Sequence, residues 1–196
     1  MERKTKDLDL IVVIGCILWA CLGFIVARCV IKENVKVIYM DRYKYRYVLD
    51  DEMITVAKYI RLVNRKVPES VANRIAYEVV SQSRKESLPF ELVLAIIEVE
   101  STFNPMATSS KNARGLMQVL YGNNDINKIY NIDYNISRGI EILKMCLSES
   151  KGDLSAALYK YVGGSDKYKE KVLRSIGSFI LFRSIEYAKG RGHTNR

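Results

Sequence analysis

The feature that most constrains this chain lies near its start. Residues 10–27 read LIVVIGCILWACLGFIVA, eighteen positions without a charge. A helix of that length, rising ~1.5 Å per residue, nearly spans a hydrocarbon layer of roughly 30 Å. Arg28 can snorkel and extend the apolar stretch to Ile31. A helix packed in a globular core would carry polar positions on its outer side, and none interrupts this run. A cleaved leader would be shorter and end in a small-x-small site, whereas these apolar residues run on. A lipid-attachment reading is weak too: Leu18-Trp19-Ala20-Cys21 places a bulky Trp before the cysteine. The run is therefore expected to be an uncleaved, membrane-spanning signal anchor over residues 10–31, behind a short head of residues 1–9.

The rest divides by pattern. Residues 32–50 form a basic, Tyr-rich stalk that alternates aromatic and charged residues (IYMDRYKYRYVL at 38–49), expected to be a linker or a short strand. Lys and Arg interleaved with Tyr also occur in nucleic-acid-binding segments, but here that signal is compositional only, and no nucleic-acid partner is expected. From residue 51 the pattern turns helical. Apolar residues at Ile54, Ala57, Ile60 and Val63 predict a helix over 51–66. Pro68 opens a second helix, to about residue 86, and Pro89 a third. The third helix is apolar on every side from Leu92 to Ile97, which predicts a buried central helix. Further helices are expected at 136–149, 153–161 and 168–187, followed by a polar tail at 188–196. The fold class is mainly α, with one compact domain over residues 51–187.

The formal net charge of +9 suits an anionic partner without choosing one. Three of the four cysteines, Cys16, Cys21 and Cys29, fall in or beside the apolar run, and Cys146 has no partner within the domain. That excludes an internal disulfide framework. With a single histidine, His193, in the tail, a His- or Cys-built metal site is not expected, nor is a cofactor.

The third helix ends in Glu98-Val99-Glu100-Ser101. Two positions on a helix lie ~200° apart, so these carboxylates diverge and cannot form one acid/base pair. A carboxylate at the end of an apolar helix is well placed for its pKa to be raised by desolvation, as a general acid requires.

Residues 100–118 read ESTFNPMATSSKNARGLMQ. Glu100-Ser101, Asn104-Pro105, Ser109 and Gly115-Leu116-Met117-Gln118 resemble, in register, the motif of the soluble-type lytic transglycosylases, relatives of goose-type lysozyme. Asn135-Ile136 with Gly139 resembles that family's Asn-Ile-x-x-Gly helix. Residues 157–164 (ALYKYVGG) resemble its Ala-Tyr-Asn-Ala-Gly segment, with Tyr161 on the tyrosine. The resemblance covers roughly residues 85–175. It implies a lysozyme-like fold that cleaves peptidoglycan between N-acetylmuramic acid and N-acetylglucosamine, leaving 1,6-anhydro ends. Glu100 would be the single acid/base, and Ser101, Ser109, Met117, Gln118 and Tyr161 would line the glycan groove. Two departures stand out: Val162 replaces the family's Asn, and Asn112 stands where Gly is common, a mild change because Asn tolerates left-handed backbone.

Two alternatives accompany this expectation. A hydrolytic lysozyme would need a carboxylate to activate water, with Asp125 and Asp133 as candidates. A non-catalytic wall-binding scaffold is the other. The expected location is the inner membrane with the domain on the wall side, or a virion if the chain is phage-encoded. Secretion, conjugation or phage-entry machinery would be the partners. The basic residues after the apolar run pull the other way, toward a domain kept inside.

Overall fold

A computed structural model of the chain describes residues 36–39, 46–120 and 128–191. The chain divides into two units, Met1–Val37 and Ile38–Arg196. The expected anchor, Asp125 and the end of the tail lie outside the described residues. Among the described residues, no helix is long and apolar enough to cross a membrane.

Two short strands come first, β1 (Lys36–Tyr39) and β2 (Arg46–Leu49), in a two-stranded sheet. Among the described residues six helices follow: α1 (Asp51–Val63), α2 (Glu69–Lys85), α3 (Phe90–Ser101), α4 (Ile132–Glu149), α5 (Leu154–Tyr161) and α6 (Asp166–Arg191). Between α3 and α4 the chain forms a minimal antiparallel ladder of β3 (Ala113–Arg114) and β4 (Val119–Leu120), with Ala113 opposite Leu120.

Local chemistry sets most of the boundaries. The Asp50 carboxylate caps α1 by accepting from the Met53 amide at 2.9 Å, and Asp51 and Glu52 in the first turn favour the positive end of the helix dipole. Pro68 and Pro89 precede α2 and α3, where a missing amide hydrogen costs nothing. Asp153 caps α5 through the amides of Ser155 and Ala156. The helix α3 stops because Thr102 and Phe103 both adopt left-handed backbone, at φ 49° and 60°. The Asn64 side chain holds that turn by donating to the Thr102 carbonyl at 2.8 Å.

Leu92 through Ile97 are all buried, so α3 is the expected central helix, packed against α2 and α6. Two helices are longer than their apolar periodicity suggests. α4 begins at Ile132, because the polar first turn (Asp133, Tyr134) is helical although it carries little of the buried face. α6 runs from Asp166 to Arg191, since Ala188 and Lys189 propagate a helix well and extend it into the expected tail. The β3–β4 ladder was invisible to periodicity, because two-residue strands have no period. It depends instead on the turn between them, with Gly115 at φ 75° and Gln118 at φ 47°.

Candidate active site

Glu100 sits in the last turn of α3, partly buried. Its Oε1 accepts a hydrogen bond of 2.6 Å from the hydroxyl of Tyr168, in the first turns of α6. Desolvation by burial raises the Glu100 pKa, while the Tyr168 hydrogen bond and the charge of Lys171, one helical turn beyond Tyr168, pull it back. Burial and the neighbouring Glu100 raise the pKa of Tyr168, so its phenol stays a donor.

Tyr161, at the end of α5, stacks on Tyr168 with ring centroids 6.5 Å apart and planes at 23°. Its own hydroxyl donates to the carbonyl of Met117 at 3.0 Å, and burial raises its pKa as well. The two tyrosines thus tie the acid on α3 to the Gly115–Gln118 turn. The hydroxyl that meets the Glu100 carboxyl is that of Tyr168, not Tyr161. Tyr168 carries no local sequence signal, since its partner is 68 positions away in the chain.

The turn is held from beneath by Asn135. Its amide nitrogen donates to the carbonyls of Arg114 (2.9 Å) and Ile129 (2.8 Å), and its Oδ1 accepts from the Met117 amide at 2.8 Å. A side chain on Gly115 would meet the Asn135 amide at 2.3 Å, and one on Gly139 would meet the Met117 sulfur at 2.4 Å. The Asn-Ile-x-x-Gly pattern is therefore the seat of the turn. The serine at 109 organises the preceding loop: its hydroxyl accepts from the Ala113 amide at 3.0 Å. Asn112 beside it takes the left-handed backbone expected of it, at φ 62°.

The structure places the remaining candidates variously. The Met117 side chain is fully buried against Gly139, so it packs in the core instead of forming an open wall, and its carbonyl is the part that Tyr161 engages. Gln118 is half-buried and donates from Nε2 to the Gly115 carbonyl at 2.9 Å and the Ala107 carbonyl at 3.3 Å. The Ser101 hydroxyl turns back to donate to the Ile97 carbonyl at 3.0 Å. Val162 ends α5 with its side chain exposed.

Glu98 diverges from Glu100 as the helical geometry requires. Its Oε2 accepts from Tyr59 at 2.9 Å and Ser175 at 2.8 Å, which makes it a clamp between α1 and α6. Asp133 faces α2, where it pairs with Arg74 at 3.6 Å. No group of His, Cys, Asp and Glu suited to hold a metal occurs among the described residues.

The sequence profile of the transglycosylase SLT domain matches residues 79–176, which contain every site residue named above. The chain belongs to the transglycosylase SLT domain family. Among solved structures it is similar to a 70-kDa soluble lytic transglycosylase in complex with bulgecin A, at 19% identity and a TM-score of 0.43. That match covers 64% of this chain and 25% of the other, so the chain spans about a quarter of its neighbour's length. No curated protein matches the chain.

Proposed function

We propose that this protein is a membrane-anchored peptidoglycan lytic transglycosylase with Glu100 as its only acid/base. One observation carries the reading: Glu100 is a desolvated carboxyl whose pKa is raised, and its hydrogen-bond and charge partners among the described residues are the Tyr168 phenol and the Lys171 ammonium. Two-carboxylate glycosidases place their pair across the scissile bond. A lone acid suits chemistry in which the sugar supplies its own nucleophile.

The steps are those the family resemblance implies, placed on this acid. Tyr168 donates to Oε1, so the acidic proton of neutral Glu100 resides on Oε2. Oε2 gives it to the glycosidic oxygen as the bond to the muramic C1 breaks, and the N-acetyl group stabilises the cationic centre. The carboxylate then removes the proton of the C6 hydroxyl, whose oxygen closes on C1. Glu100 returns to its neutral form, and no water is consumed. The Tyr168 hydrogen bond steadies the charged intermediate state of the acid.

Residues 10–31 would tether the domain, which acts on the wall side of the membrane. Asp133 is paired with Arg74 on α2, which favours the transglycosylase over a hydrolase that uses Asp133 to activate water. The test uses the full chain in a turbidity assay on purified peptidoglycan. The wild type should clear it and Glu100→Gln should not. Equal clearing by the two proteins would refute the role of Glu100.

A further inference from the structure

The helix α6 holds a cation beside the acid that the catalytic steps leave unused. Lys171 lies three residues beyond Tyr168, the donor to Glu100 at 2.6 Å, and its side chain is exposed. Burial is what chiefly raises the Glu100 pKa, and Lys171 acts on the same carboxyl as a neighbouring positive charge. A cation in that place opposes a general acid, because it favours the charged form. The opposition is relieved once a second anion pairs with the ammonium.

No other carboxylate among the described residues does so. Side chains meet along a helix at spacings of three and four. For Lys171 those neighbours are Lys167, Tyr168, Arg174 and Ser175, two cations and two hydroxyls. Glu170 is one position away and points ~100° aside, within reach of Lys167 and Arg174 instead. Among the described residues Lys171 forms no ion pair, whereas Arg183 and Lys189 of the same helix pair with Glu91 at 2.9 Å and Glu186 at 3.0 Å. Lys167, Lys171 and Arg174 are all exposed and repel one another at helical spacing. They form a basic ridge over about 10 Å of α6, on the flank that adjoins Glu100.

We propose that Lys171, with Lys167 and Arg174 beside it, receives a carboxylate on the muramic side arm of the glycan. The substrate class is then a glycan that carries an acid group next to the scissile bond, not a neutral one such as chitin. That acid group is the lactyl carboxylate of a bare strand or a carboxylate of the peptide stem. A lysine suits either, because its flexible four-carbon stem lets the ammonium follow a mobile side arm. Once paired, Lys171 draws Glu100 less toward its charged form, so the bound substrate itself favours the neutral acid. The inference rests on the glycan-cleaving reading of Glu100.

Calorimetric binding to the full chain in mild detergent tests it, in a Glu100→Gln background so that turnover does not intervene. Three soluble ligands are compared: a muramyl glycan fragment with its peptides, the same fragment stripped by an amidase, and a chitin oligosaccharide. Lys171→Met should weaken binding of one or both muramyl fragments about tenfold and leave chitin binding unchanged. The fragment that loses more names the source of the carboxylate. Lys171→Arg should retain binding, and Lys169→Met, on a flank ~200° away, should bind like its parent. Circular dichroism should show every variant folded. An equal loss on chitin, no loss on either muramyl fragment, or no binding of a muramyl fragment to the parent overturns the proposal. Cleavage is read separately, in the turbidity assay on the wild type, so failure of the acid and failure of this contact are distinguishable.

Discussion

The hydroxyl of Tyr168 donates to Oε1 of Glu100 at 2.6 Å, joining the end of the central helix α3 to the start of α6. This bond stabilises the carboxylate, while burial of the same group favours the neutral acid. The two effects oppose each other, and their balance leaves the acid raised.

Tyr168→Phe removes the donor and keeps the ring stacked on Tyr161. A hydrogen bond to a charged group contributes roughly 1.5–3 kcal/mol. Activity should fall about 10- to 100-fold, and the alkaline limb of the pH profile should move upward because the carboxylate has lost its stabilising partner. A pH profile of kcat/KM reads both effects. An unchanged profile would mean that the bond does not form in the working enzyme.

The raised pKa of Glu100 has a consequence for stability, and its sign is fixed. A group whose folded pKa lies above its unfolded value contributes stability below the unfolded pKa, and that contribution is lost as pH rises through the folded pKa. Glu100→Gln removes this dependence, and its amide oxygen can still accept from Tyr168. The variant should therefore melt higher than the wild type at neutral pH, with the gap closing as pH falls below the ordinary carboxylate range. Thermal melts across pH check this, and a gap independent of pH would contradict it.

Asn135→Asp tests the seat of the Gly115–Gln118 turn. A carboxylate can still accept from the Met117 amide but cannot donate to the Arg114 and Ile129 carbonyls. Destabilisation of about 2–4 kcal/mol is expected, since two buried acceptors lose their donor and a charge is buried. Urea unfolding measures it, and a loss under about 0.5 kcal/mol would show that the clamp matters little.

Gly139→Ala probes the same seat by overpacking. The new methyl would meet the Met117 sulfur at 2.4 Å and displace the turn that carries the carbonyl bonded to Tyr161. A stability loss of about 1–3 kcal/mol is expected, with a fall in activity. Met117→Ala in the same chain should restore part of the stability by making room.

Much of the fold was legible in the sequence because its signals are local. The apolar run Leu92–Ile97 and the prolines at 68 and 89 act within one or two turns. The divergence of Glu98 and Glu100 was legible too, from helical geometry. What stayed hidden depends on distant contacts. Tyr168 reads as any aromatic on a helix until α6 packs against α3. Met117 was expected on the groove wall, but the space over Gly139, twenty-two residues on, draws its side chain into the core. The β3–β4 ladder rests on two positive-φ positions, and only one of them is a glycine.

The central claim is that Glu100 alone cleaves the glycan and that the sugar closes on itself. Mass analysis of the products released from purified peptidoglycan tests it most directly. The wild type should yield 1,6-anhydromuramyl ends and Glu100→Gln none. Reducing ends from the wild type, or anhydro ends from Glu100→Gln, would contradict it.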